Sequence, residues 1–260
     1  MASSKAFQNS ERRLRRSNVH ITVLTLFPEA MKAYFLKGIF AKALDKGLFQ
    51  IDFIQLREFA KDRRASVDDT PFGGGNGMLL RSDVLSQALS SIEGLENSRI
   101  IMPCPVGESF GPSMVWDLLS VKRLILICGY YEGVDERIFD LFTIEKIRIG
   151  DVILSSGELP ALIIAEAVLR WVPGVVGNQE SVRQDSIVSG LLEYPQYTFP
   201  REFSGQMVPD VLLSGHHKRV EAWKKKKSLE TTFYKRPDLL KMYQAEPYEK
   251  ELLVEILKED

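Results

Sequence analysis

The chain has 260 residues, is 45% hydrophobic and 27% charged, and carries a net charge of −1. Such a chain can bury roughly 70% of its unfolded surface without covalent staples, and its charge balance excludes a uniformly basic nucleic-acid coat. No run approaches the ~20 apolar residues of a membrane span. Cys104 and Cys128 form neither a CxxC pair nor a zinc-type spacing with histidine, so the residue usage points to the reducing cytoplasm.

Residues 1–18 carry Arg12, Arg13, Arg15 and Arg16 and lack an apolar core, so they read as a disordered basic tail rather than a secretory signal. An organellar transit peptide is the alternative. From residue 19 onward, strand and helix patterns alternate. Residues 20–27 (HITVLTLF) are a β-rich run stopped by Pro28, and 29–44 predict one helix. Residues 49–56 alternate as a strand, and a glycine-rich segment follows at 72–78. Then come a helix at 83–91, a strand at 99–102, a helix at 113–119 and a strand at 123–128. A helix at 135–141, a short strand at 145–149 and an apolar helix at 159–171 complete the series. Strands separated by helices of this length predict βαβ units and a parallel sheet.

The pattern changes after Trp171. Residues 173–202 are rich in Gly, Pro, Ser, Asn and Gln and predict a long interdomain linker, of the kind that is usually functional. Beyond it, helical patterns at 218–227, 237–243 and 247–258 predict a small helical domain over 203–260. The sequence thus divides into a tail at 1–18, an α/β domain at 19–172, the linker and the helical domain. Residues 215–241 contain nine Lys or Arg against three Asp or Glu, whereas 246–260 contain six acids against two lysines. A local basic block in a neutral chain suits docking of a polyanion, and it suits a solvated helix face equally well.

Several glycine turns leave the strands. A dinucleotide-binding fold places its glycines directly after the first strand, where this chain has Phe27, Pro28 and Glu29. The segment 72–78 (FGGGNGM) lacks the Lys-Ser/Thr end of a phosphate loop. The turns at 128–133 (CGYYEG), 149–151 (IGD) and 154–160 (LSSGELP) follow later strands or precede the apolar helix. Glycines there let the backbone approach a ligand closely, or simply make tight turns in a compact sheet.

Read together, VLTLFPE (23–29), VDDTPFGGGNGML (67–79), LILICGYYEGVDERI (124–138), IRIGDVILSSGELPA (147–161), WVPGVVGNQESVRQDS (171–186) and VPDVLLSGHHKRVEAW (208–223) closely resemble, in order, the bacterial tRNA (guanine-N1)-methyltransferases of the TrmD type, in the SPOUT class. The resemblance spans nearly all of residues 19–253. It implies a parallel α/β sheet whose C-terminal part forms a deep trefoil knot, S-adenosylmethionine bound in that knot, and a homodimer whose active sites lie across the interface. Pro105, Gly129, Glu132, Ile149, Gly150, Asp151, Val152, Ile153, Leu154, Gly157 and Pro160 match the cofactor-binding positions. Asn76, Tyr130, Val152 and Ser156 depart from the residues usual at their places in these motifs.

The chemistry of the implied reaction needs a base, because guanine N1 carries a proton in the neutral ring, and a group to hold charge spreading onto O6. The resemblance assigns Asp185 as the base and Arg170 as the arginine near substrate. Burial of that aspartate on RNA binding would strengthen it as a base. Locally, Asp185 and Ser186 also suit a helix cap, and Arg170 a helix C-terminus. Lys218, Arg219, Lys224, Lys225, Lys226 and Lys227, with Trp223 among them, are the expected contacts to tRNA phosphates. His216 and His217 lack the partners of a metal site, so no metal ligand is assigned, and the magnesium that the resemblance implies has no site marked in the sequence. Two other readings stay open: a related enzyme methylating a ribose or another base, and a non-catalytic RNA-binding scaffold.

Overall fold

The computed structural model describes residues 19–179, 182 and 185–259, so the basic tail lies outside the described residues. The chain divides into two compact units, Met1–Gln179 and Glu180–Asp260.

The first unit is built on a five-stranded parallel sheet in the order β2-β1-β6-β5-β7. Its strands are β1 (Val19–Thr25), β2 (Phe49–Gln55), β5 (Ser98–Ser109), β6 (Arg123–Ile127) and β7 (Ile144–Arg148). The order follows from composition. Strands covered on both faces must be apolar on both faces, and β6, with Leu124 to Ile127 all buried, takes the centre beside β1. Val23 of β1 stands opposite Leu126 of β6, which fixes the register at the core. The two-residue strands β3 (Asp68–Asp69) and β4 (Leu79–Leu80) form a separate antiparallel pair.

Helices α1 (Pro28–Phe35) and α2 (Gly38–Asp45) replace the single helix expected at 29–44. Gly38 has φ +67°, a left-handed conformation that interrupts an α-helix and that glycine adopts without steric cost. Helices α3 (Ser82–Ser90), α4 (Pro112–Leu119), α5 (Ile138–Leu141) and α6 (Glu158–Leu169) follow the sequence pattern closely.

Strand β5 is longer than the four residues expected. It pairs with β7 through Pro103, leaves the ladder, and rejoins it at Glu108, so that Pro103 and Glu108 both face Ile147. Proline has no amide hydrogen to give a ladder, and Pro103 and Pro105 both fall at this excursion. The return is tight: a Cβ at Gly107 would lie 2.3 Å from the Lys146 carbonyl carbon. Among the described residues, no helix is long and apolar enough to cross a membrane.

The described part of the second unit holds a short hairpin, β8 (Glu202–Phe203) and β9 (Gln206–Met207), and helices α7 (Asp210–Leu213), α8 (His217–Lys235), α9 (Pro237–Leu240) and α10 (Pro247–Glu259). Its core is small: Leu191, Leu229 and Ile256 are buried, with Phe233, Leu240 and Tyr243 against them. The segment expected as a linker contributes to both cores. Val172 and Val175 are buried, Gln179 Nε2 donates to the Val172 carbonyl, and Leu191 sits in the second core.

Replacing Gly107 by alanine is expected to cost about 1–3 kcal/mol, the range for forcing atoms into a packed site. Gly177→Ala, where a Cβ meets nothing within 4 Å, should leave urea denaturation nearly unchanged.

Candidate functional site

The C-terminal ends of β5, β6 and β7 open on a cavity of about 330 Å³. Three segments wall it: 102–105 at the start of the β5 excursion, 129–134 after β6, and 148–157 after β7, with Pro160 of α6. Crevices outside the carboxyl ends of parallel strands are the usual ligand sites of such sheets.

Four glycines, Gly129, Gly133, Gly150 and Gly157, stand among the lining residues. A Cβ at Gly129 or Gly150 would meet nothing within 4 Å, so at these two points the wall is a cradle open to a ligand. Gly157 is the opposite case. Its added Cβ would lie 2.7 Å from the Gly129 nitrogen and 2.9 Å from the Cys128 Cα. The Gly157 amide donates to the Gly129 carbonyl at 2.7 Å, and the two cavity walls are clamped together there.

Glu158, the next residue, is buried at the first turn of α6. The buried Thr25 hydroxyl donates to its Oε1 at 2.6 Å, and Oε2 has no hydrogen-bond partner among the described residues. The position of Glu158 at a helix N-terminus partly offsets the cost of burying a carboxylate. Burial, then the Glu158 charge, pushes the Cys128 thiol well above its ordinary range, so Cys128 is an inert packing residue.

The turn after β6 is braced from outside. Tyr131 adopts φ +60°, and the Glu132 amide donates to the Met78 carbonyl while the Leu80 amide donates to that of Gly133. Phe27, Tyr130 and Tyr131 pack in sequence, the first pair tilted and the second edge-to-face, with ring centroids 5.5 and 4.8 Å apart. Burial and a hydrogen bond with Asp68 push the Tyr131 phenol above its usual range, and Arg57 beside it pulls the other way. Gly77 packs so close to Glu132 that a Cβ there would strike its side chain. The end of the glycine-rich segment is therefore fitted against the cavity wall at Gly77, while residues 72–76 are exposed.

Ten of the eleven expected cofactor positions line this cavity: Pro105, Gly129, Glu132, Ile149, Gly150, Val152, Ile153, Leu154, Gly157 and Pro160. Asp151 is not among the lining residues. Its carboxylate is turned out to Arg148 Nη1 at 2.5 Å. Gly133, Val134 and Arg148 line the cavity without having been expected; they lie within the matched motifs, and their place follows from strand ends rather than from residue type.

Arg170 caps the C-terminus of α6, its amide donating to the Glu166 carbonyl. Asp185 belongs to the second unit, where its carbonyl accepts from the Ser189 amide. Both are half-buried. The residues flanking Asp185 on its N-terminal side lie outside the described residues.

The lysines of α8 are engaged. Lys224 pairs with Glu221 at 3.0 Å, Lys225 with Glu249 at 2.9 Å, Lys226 with Glu255 at 3.4 Å and Lys227 with Glu230 at 2.6 Å. Two of these carboxylates come from α10, so the acidic end of the chain neutralises the basic block. Lys218 and Arg219 stay exposed at the start of α8. Among the described residues, no group of three or more His, Cys, Asp or Glu could hold a metal ion.

The family described as tRNA (Guanine-1)-methyltransferase TrmD matches residues 19–242. A protein of Dictyoglomus turgidum named tRNA (guanine-N(1)-)-methyltransferase is 46% identical over 241 residues, covering 93% of this chain and 98% of its own. Proteins of the same name from Staphylococcus carnosus and Geobacillus kaustophilus are each 45% identical, over 86% and 93% of this chain and 91% and 99% of theirs.

The Lys225–Glu249 pair is testable through pH. Burial alone would raise the Glu249 carboxyl, but hydrogen bonds from Lys225, the Glu246 amide and Tyr243 outweigh it and hold the group below its ordinary value. A lowered carboxyl contributes stability above its unfolded value of ~4.3 and loses it as pH falls through the folded value. Amide exchange in α8 and α10 should therefore quicken below about pH 4. Glu249→Gln should quicken it already at pH 7, by on the order of 3 kcal/mol, and flatten its pH dependence.

Proposed function

This chain belongs to the tRNA (Guanine-1)-methyltransferase TrmD family, and on that premise we propose that it methylates N1 of the guanosine on the 3′ side of the anticodon in tRNA, with S-adenosylmethionine as donor. Methylation there would guard the reading frame against slippage, and tRNA as substrate fits a cytoplasmic enzyme. The observation that carries the reading is the cavity at the β5 excursion and the ends of β6 and β7, two of whose walls lie in the family motifs 124–138 and 147–161 and the third of which holds Pro105.

The cavity residues fit such a donor. Gly129 and Gly150 leave open space where side chains would stand, Ile149, Val152 and Leu154 offer apolar surface, and the buried Glu158 suits a cationic ligand nearby. S-adenosylmethionine supplies a methyl group already activated on a sulfonium. The protein's part is to hold, align and deprotonate. Asp185 accepts the N1 proton of guanine, leaving N1 the electron pair that forms the new bond to carbon. Arg170 donates to O6, where negative charge gathers as that proton leaves. The close crossing of Gly157 on the backbone of Cys128 and Gly129 supports a trefoil knot in this part of the chain. A magnesium requirement carries over from the family resemblance without a site.

The guanine must leave its stack to reach such a cavity, as bases do in enzymes that act on them. Residues 203–260 would act as the tRNA-binding domain and 173–202 as the segment that orders over the substrate, bringing Asp185 with it. Lys218 and Arg219 would meet phosphates directly. Lys224, Lys225, Lys226 and Lys227 would do so by exchanging their carboxylate partners for phosphate.

A homodimer with active sites across its interface belongs to the same reading. Helix α6 is apolar apart from Glu158 and Glu166, yet Leu159 and Ile163 are 59% and 47% exposed. They stand one helical turn apart on the face that continues to Glu166, to which Tyr34 of α1 donates. An apolar stripe on an otherwise buried helix is what a second copy would cover.

Two measurements test these assignments. Labelled methyl from S-adenosylmethionine should appear as N1-methylguanosine in an unmodified tRNA transcript, and Asp185→Asn should lower the rate by about 10²–10⁴. Gly150→Val should abolish donor binding while the fold persists; label in a ribose or another base, or none despite binding of both substrates, would overturn the reading. Sedimentation should give a dimer for the wild type and a monomer without transfer activity for Ile163→Asp.

A further inference from the structure

Four lysines of α8, Lys224 to Lys227, are paired with carboxylates, whereas the first unit carries a second basic segment whose outward cations form no such pair among the described residues. Residues 57–64 (REFAKDRR) contain four Lys or Arg and two acids within eight residues. They follow β2 at the C-terminal edge of the sheet, first as a short 3-10 helix, Leu56–Phe59, then as a turn. Arg57, Lys61, Arg63 and Arg64 are all exposed.

The acid at the centre of this segment folds inward. Asp62 Oδ1 accepts from the Arg64 amide at 2.8 Å, both its oxygens accept from the Ser66 amide at 3.2 Å, and Oδ2 pairs with Arg81 at 3.5 Å. Hydrogen bonds from Ser66 and Arg64 lead in holding its carboxyl below the usual range, so it remains an anion that closes the turn. The Ala65 amide donates to the Asp62 carbonyl, and Ala65 takes φ +51° to complete the bend. The side chains left outward are Lys61, Arg63 and Arg64, with Glu58 the one exposed acid of the segment apart from Asp62.

This turn is joined to the cavity by contacts on both sides. Arg57 interacts with the phenol of Tyr131, a cavity residue. Arg81, which holds Asp62, also donates to the Ser66 carbonyl and follows β4 directly. The β3–β4 pair carries the glycine-rich loop, and at its tip Phe72 is 96% exposed. An aromatic ring kept in water on a loop of four left-handed glycines has no packing role in the fold.

Outward cations and a bare ring on two segments tied together through Arg81 have the make-up of a single-stranded nucleic-acid site, in which phosphates take the cations and a base stacks on the ring. We propose that residues 57–64 and Phe72 form a docking surface on the first unit for the single-stranded part of the RNA substrate, Lys61, Arg63 and Arg64 holding phosphates and Phe72 stacking on a base beside the cavity. This rests on the proposed RNA function. It places RNA contacts on the same rigid unit as the donor cavity, independent of the lysines of α8.

The test uses the full-length protein with a tRNA transcript and S-adenosylmethionine. The Lys61→Ser, Arg63→Ser, Arg64→Ser triple variant should raise KM for tRNA about tenfold or more. It should also reduce the slope of log affinity against log salt by about 2, the figure for three phosphates on a single strand. Phe72→Ala should lower kcat/KM for tRNA by roughly 5- to 100-fold, and Phe72→Trp should restore it. Donor affinity, read by calorimetry without RNA, should be unchanged in every variant, which also reports an intact fold. Wild-type tRNA affinity and salt slope in the triple variant, with loss confined to Lys218→Ser and Arg219→Ser, would overturn the surface and leave the function standing. A wild-type protein that binds the donor but no tRNA would overturn both.

Discussion

The contact between Gly157 and the backbone of Cys128 and Gly129 is the constraint on which the candidate site depends. With no Cβ in the way, the chain entering α6 crosses the end of β6 at hydrogen-bonding distance, and the turn after β6 and the loop after β7 become facing walls of one cavity. The crossing also decides where Glu158 goes. Its side chain drops between the ends of β1 and β6, where Thr25 holds one oxygen. A buried carboxylate is costly unless its surroundings compensate, and here a hydroxyl donor and a helix N-terminus both do so. Shifting α6 by one residue would lose the clamp and leave the charge without either support.

Much of this was legible in the sequence because its physical causes are local. The apolar runs of β1 and β6 declare strands covered on both faces, and the helix 159–171 is apolar enough to be read directly. The cavity loops could be marked only through motif resemblance, because glycine turns of this kind look alike whether or not they hold a ligand. Asp151 sits inside such a motif and yet turns outward, since Arg148 three residues earlier captures its carboxylate. Motif position tells where the backbone passes; it says nothing about which side of that backbone a side chain leaves from.

The failures of foresight are non-local. The break at Gly38 depends on a backbone angle that a helical pattern of apolar residues hides. The excursion in β5 depends on how β7 receives a returning strand, and Gly107 is needed only because Lys146 and Ile147 lie against it. Charge is the clearest case. The excess of lysine over 215–241 and the excess of acid over 246–260 look like two features in a linear count. Folded together, they are one network between α8 and α10, centred on the buried Glu249. In the 57–64 segment the count is less extreme, but its central acid is consumed by the turn, so the outward charge is greater than the sum suggests.

The glycines in the cavity wall also have a pharmacological consequence. Side-chain pockets can escape a blocking compound by exchanging one contact residue for another. The backbone at Gly129 and Gly150 cannot be exchanged in that way, and Gly157, whose amide is spent on the Gly129 carbonyl, tolerates no bulk. A competitive inhibitor that reads these backbone edges would present few routes to resistance. One that leaned on Tyr130 or Val152 would meet ordinary sequence drift.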